Sequence, residues 1–128
     1  MRDLMNDPYH AGEIDLLTDQ ALTVSGGATP SVTSSRLPVG KLSKLHVNVA
    51  NAGASTSVTV NIYGSPSLTS ARKSHLATFT LGAAVGDTPY EAGKYIERDA
   101  IPSYIYAVAT NSDAVNTASI IVTLDRWR

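Results

Sequence analysis

The feature that most constrains this chain is a strict two-residue alternation of apolar and polar side chains. In Leu45-His46-Val47-Asn48-Val49 every second residue is apolar, and Val58-Thr59-Val60-Asn61-Ile62 repeats the pattern. A period of two sends successive side chains to opposite faces of an extended backbone, so each run reads as a strand with one buried face. Between them Asn51-Ala52-Gly53-Ala54-Ser55 is rich in turn formers, and the two runs are expected to pair as a hairpin. The same period runs through Ala77-Thr78-Phe79-Thr80-Leu81 and through Ile120 to Leu124. Tyr104 to Thr110 is aromatic and β-branched, and Asn111-Ser112-Asp113 after it predicts a turn into a second hairpin with the 120–124 run.

Weaker strands are expected at Ala21 to Ser25, around Thr33 to Leu37 and at Lys94 to Glu97, giving seven or eight in all. Ile14, Leu17, Ala21 and Leu22 fall at helical spacing, which allows one short N-terminal helix at most. The irregular segments 64–73 and 82–93 suit crossings from one sheet to another. A chain of 128 residues, 43% hydrophobic and 16% charged, has the size and composition of one folded domain. The expectation is therefore an all-β fold: a two-sheet β-sandwich of jelly-roll or Greek-key topology over residues 16–128, preceded by an extended N-terminal arm, residues 1–15.

Net charge is −1, and no run of Lys or Arg is longer than Arg72-Lys73, so the footprint of a nucleic-acid binder is missing. Without cysteine there is no disulfide and no thiolate metal site. No stretch of 18 apolar residues predicts a membrane span, and no apolar leader segment predicts export, so synthesis in the cytoplasm is expected. Charge is uneven along the chain: residues 1–20 carry a net −4 and residues 21–128 a net +3. The acidic front end reads either as a solvated terminus or as an arm that lies on a neighbouring subunit.

Templates for catalysis fail one by one. Gly86 to Gly93-Lys94 has the wrong glycine spacing for a phosphate loop, and Tyr95 stands where Ser or Thr is needed. Ser65 lacks the second glycine of a nucleophile elbow. His10, His46 and His75 have no metal-pair spacing, and the loops with Asp87-Thr88 and Asn111-Ser112-Asp113 lack calcium-loop spacing. Glu91, Glu97, Asp99 and Asp113 could supply a carboxylate pair only by chance of folding. Tyr104 and Tyr106 would share one face, where a glycan-stacking platform is a weaker reading than ordinary packing. No enzyme activity, cofactor or metal is expected. The chain ends carry the candidate contacts: Asp3, Asp7, Tyr9, His10 and Glu13 in front, and Arg126, Trp127 and Arg128 behind. Trp and Arg are the side chains most enriched at interface hot spots, although Trp127 could equally cap the open end of the sandwich.

The order of segments resembles a known family. Asp15-Leu16-Leu17-Thr18-Asp19-Gln20-Ala21-Leu22-Thr23 is followed by a Ser/Thr-rich strand, Leu45 to Val49, Val58 to Ser65, Leu76-Ala77-Thr78-Phe79 and Ile101-Pro102-Ser103-Tyr104. Over residues 15–125 this is similar to the jelly-roll cement proteins that decorate the capsids of short-tailed bacteriophages. The resemblance implies a sandwich on the outside of the shell, with the major capsid protein as partner. It also implies work done by burying surface across subunit junctions, in many copies at once. Neither nucleic acid nor membrane is expected as a partner. Self-association into a dimer or trimer is expected from strand edges that need covering. A neck, baseplate or fibre sandwich and a carbohydrate-binding module are the competing expectations.

Overall fold

The computed structural model describes residues 9–24 and 29–128. In chain order the strands are β1 (His10–Leu22), β2 (Ser31–Thr33), β3 (Leu37–Pro38), β4 (Lys44–Asn51), β5 (Val58–Ser65), β6 (Ser74–Leu81) and β7 (Tyr90–Ile96). A short 3-10 turn at Arg98–Ala100 leads to β8 (Tyr104–Asn111) and β9 (Ala118–Trp127). One sheet has the order β1-β9-β4-β7 and the other β2-β8-β5-β6, with β3 also pairing β8. All pairs are antiparallel, and the first set is nested: β1 with β9, β2 and β3 with β8, β4 with β7, β5 with β6. A nested set is one long hairpin. Rolling it up lays β9 beside β4 and β8 beside β5, which closes two sheets face to face as a jelly roll.

This topology corrects both expected hairpins. β4 and β5 lie in different sheets, as do β8 and β9, so the turn-rich segments after Asn51 and Asn111 are crossings. Segment 66–73 joins β5 to β6 within one sheet and is the hairpin loop, while 82–89 does cross and β7 begins four residues earlier than Lys94, at Tyr90. The expected N-terminal helix is replaced by β1. Its register slips between Asp15 and Leu17 and again between Leu17 and Gln20, and Asp19 adopts a positive φ of 44°. Each bulge inserts a residue and flips the phase of alternation, so the inward side chains fall at irregular, helix-like spacing. Residues 10–15, which the charge distribution placed in the arm, are part of this strand.

The inner faces are those the alternation marked. Leu45, Val47 and Val49 of β4 meet Val58, Val60 and Ile62 of β5, with Ile120, Val122 and Leu124 of β9 and Ile105 of β8, all fully buried. Each such side chain contributes about 1.5–3 kcal/mol by leaving water, before the entropy of ordering the chain is subtracted.

Two asparagines hold the crossing end. Asn51 and Asn111 are the last residues of β4 and β8, and both are buried. The Asn51 amide donates to the carbonyls of Ser55 and Gly82 (both 3.0 Å) and accepts from the N–H of Gly53 (2.9 Å) and Ser119 (3.1 Å). Asn111 donates to Leu22 and Asn116 carbonyls (both 2.9 Å) and accepts from Asp113 N–H (3.0 Å) and from Ser55 Oγ (2.7 Å). A buried carbonyl or N–H left without a partner costs about 1–3 kcal/mol, and here two side chains satisfy the backbone of three crossings. Gly53 fits between them because a Cβ there would stand 2.6 Å from the Thr117 carbonyl oxygen and 2.8 Å from Ser119 N.

Candidate functional site

Pairing the first strand with the last brings both chain ends to the opposite end of the sandwich. His10 stands across from Trp127, and the N–H of Arg128 donates to the Tyr9 carbonyl at 2.8 Å. On the other flank of β9, Lys44 also faces Trp127, and His46 sits between Asp125 and Tyr95. These residues share the outer face of the β1-β9-β4-β7 sheet.

Here the sheet carries aromatic rings and a cation. The His10 and Trp127 ring centroids are 5.2 Å apart, those of Tyr95 and Trp127 6.5 Å, and those of His46 and Tyr95 4.6 Å. Lys44 Nζ lies over both larger rings, 4.7 Å from Trp127 and 4.8 Å from Tyr95. Trp127 is only 6% exposed, so it closes this end of the molecule against its own neighbours, whereas Tyr95 is 52% exposed. His10 bonds the Asp125 carboxylate with its ring almost wholly buried. That bond offsets the repulsion of Glu13, which lies directly across from Asp125. Arg126 reaches back to the carbonyls of Ala11 and Gly12 (3.3 and 3.4 Å).

A second cluster occupies the outer face of the other sheet at the same end. Tyr63 and Tyr106 lie 5.5 Å apart, with Arg36 5.0 Å over Tyr106 and Lys73 Nζ 4.4 Å over Tyr63. Arg36 Nη1 donates to Ser65 Oγ and to the Ser67 carbonyl, both at 2.8 Å. Beside it a cleft of about 610 Å³ is lined by Ser65, Arg72, Lys73, Ser74 and Ser103.

The arrangement gathers positive charge that can attract anions. The Thr78 hydroxyl donates to Asn61 Oδ1 at 2.7 Å, so His75 Nε2, 2.6 Å away, donates to Thr78 and does not take its proton. Asp113 accepts from the N–H of Thr56, Val115 and Asn116, which holds its carboxyl well below the usual carboxylate range. Among the described residues no three His, Asp or Glu side chains gather to hold a metal ion.

No family model and no curated protein matches this chain. Among solved structures it is similar to a chain in the structure of infectious bursal disease virus, Gx strain, at TM-score 0.50 and 11% identity, over 89% of this chain. The likeness is one of fold. This chain spans about a third of that viral chain, 32% of its length. Looser likenesses join it to the K1 cleaved adhesin domain of Lys-gingipain from Porphyromonas gingivalis W83 (TM-score 0.47, 19% identity, 94% of this chain and 78% of that one). Another is to a carbohydrate-binding module, CBM28, specific for non-crystalline cellulose (TM-score 0.43, 13% identity, 78% and 65%). Scores this low carry no weight beyond the shared sandwich.

The candidate contact residues Tyr9, His10, Glu13, Arg126, Trp127 and Arg128 are thus gathered at one end, while Asp3 and Asp7 lie outside the described residues. Lys44, His46, Tyr95 and Asp125 belong to the same cluster and were not singled out from sequence. For Lys44 and His46 the signal was there: they occupy the outward phase of the alternation that buries Leu45 and Val47. Tyr95 could not be found that way, because it joins the cluster only through the β4–β7 register.

Proposed function

We propose that this chain is a capsid decoration protein of a tailed bacteriophage, binding the outside of the major capsid protein shell and stabilising it without turnover chemistry. The observation that carries this reading is where the polar side chains go. The buried polar side chains of the described residues all have partners, and the network at the crossings spends its hydrogen bonds on the fold itself. Such a domain offers surface, and surface repeated over a shell adds weak contacts into strong attachment. The jelly roll and the segment order that resembles cement proteins support the same reading. Localisation on the virion surface follows from it, as does self-association as a dimer or trimer.

The test is binding of the purified chain to expanded shells of its phage, followed by heating or by release of the packaged DNA. Shells saturated with the chain are expected to withstand a higher temperature than bare ones. Absence of binding, or a position in the tail at a few copies per particle, would replace this reading with that of a neck, baseplate or fibre component. A glycan-stacking platform receives little support, since Tyr106 and Trp127 are buried and the exposed Tyr90 and Tyr95 lie toward opposite ends of β7.

A further inference from the structure

The folded chain separates its charges by end. Of the nine Lys and Arg of residues 9–128, eight lie in the half that holds Trp127, and Lys94, across from Val47, stands midway. Lys44 and Arg126 are placed in the Trp127 half by the register of β4 with β9. Arg36, Arg72 and Lys73 surround the Tyr63–Tyr106 pair and the cleft next to it. Lys41 and Arg128 line a second cleft, of about 530 Å³, and Arg98 lies in the 3-10 turn. Four acids share this half, Glu13, Glu97, Asp99 and Asp125. The crossing half carries Asp19, Asp87, Glu91 and Asp113 and no base, with Asp15 midway.

Among the described side chains, Lys and Arg make no ion pair. Lys44 and Lys73 lie over aromatic rings, and Arg36 and Arg126 donate to carbonyl or hydroxyl oxygens. The one carboxylate contact with a basic side chain among the described residues, His10–Asp125, involves no Lys or Arg. Exposed apolar side chains follow the same division. Val85, Tyr90 and Val115 (81%, 45% and 81% exposed) stand at the acidic end, and Tyr9, Leu68 and Tyr95 (67%, 60% and 52%) at the basic end. Each end therefore joins apolar tips to a net charge, positive at one end and negative at the other, the composition of an interface with a charged rim.

We propose that copies of this chain bind one another end to end, the basic end of one copy against the acidic end of the next. The occupant is a second copy because the molecule itself carries the complementary surface. Such a contact is heterologous: it forms a ring if the rotation between copies closes and an open string if it does not. Opposed fields of this kind set register and encounter rate more than affinity, so the contact is weak in dilute solution and gains from the high local concentration of copies held on a surface. The contact concerns the chain alone and stands whether or not a shell is its partner.

Sedimentation velocity over a concentration series tests it. At about 20 mM salt the weight-average sedimentation coefficient is expected to rise with concentration, and association to weaken at least about tenfold by 300 mM as the screening length shortens. Asp87→Lys with Glu91→Lys removes the net negative charge of the crossing half, and Arg72→Glu with Arg128→Glu removes most or all of the net positive charge of the other half. Each double variant alone is expected to stay monomeric at low salt, and an equimolar mixture to associate again, which misfolded variants would not do. A wild-type chain that remains monomeric at low salt up to millimolar concentration overturns the proposal. So does a mixture that fails to associate, or wild-type association that salt leaves unchanged, which would assign it to the apolar tips alone. Retention of the wild type on a polyanion matrix without self-association would assign the basic end to an acidic partner instead.

Discussion

At the crossing end, Asn51 and Asn111 hold the backbone through neutral amides buried beneath the loops; at the Trp127 end, strands and chain ends are held by rings, a lysine and a histidine–carboxylate bond on the outside of a sheet. The two ends therefore tolerate change unequally. A buried amide with four partners has no substitute of the same shape that both donates twice and accepts twice, and its loss strands groups that water cannot reach. A ring stacked on a sheet surface can be replaced in part by the long side chains around it.

The largest effect is therefore expected at the crossings. Asn51→Ala leaves two carbonyls and two N–H groups without their partner and is expected to cost about 4 kcal/mol in urea denaturation. Trp127→Ala removes more surface but from a site that Lys44 and Tyr95 can partly cover, and about 3 kcal/mol is expected by the same measurement. If Trp127→Ala proves the costlier of the two, the contrast between the ends is reversed. Lys44→Met keeps most of the side chain and removes the charge; a loss of about 1 kcal/mol, seen as a small drop in the thermal midpoint, isolates the cation–ring attraction.

Asp113 gives the mildest effect at neutral pH and a sharp signature in acid. Its carboxyl is held below the usual range by N–H donors from Thr56, Val115 and Asn116, the first being the strongest cause. A group with a lowered folded pKa stabilises fully above its unfolded value, near 3.9, and loses that contribution as pH falls below it. The urea midpoint of the wild type is expected to decline from about pH 4 downward, and Asp113→Asn to decline less over the same range.

Much of this architecture was legible in the sequence, and the misses have one physical cause. Alternation in 45–49, 58–62 and 120–124 marks the inner faces correctly, because a period of two is a property of the strand itself. It does not name the partner. A crossing between sheets must reverse the chain much as a hairpin does, so the turn formers after Asn51 and Asn111 fit both, and only the depth of the two asparagines tells them apart. In β1 the bulges break the period, which is why Ile14, Leu17 and Leu22 mimic a helical face. Composition draws attention to the chain ends but leaves Trp127 open between an interface contact and a cap on the sandwich; its burial, against Lys44 and His10 from far away in sequence, is that of a cap. The charge asymmetry read along the chain is likewise a partial view. Glu13 folds into the basic half, and the acidic half is assembled from four separate segments.

The nested pairing also sets a timetable. His10 finds its partner Asp125 115 residues along the chain, while the turn between β5 and β6 joins neighbours. Contacts so distant in sequence slow the search for the native state, placing a fold of this kind in the millisecond-to-second range. The β5–β6 hairpin is the segment able to form first, with each outer pair added as a further layer and β1 closing last. Substitutions in β5 and β6 are then expected to slow folding, and those in β1 to quicken unfolding while leaving the folding rate nearly untouched.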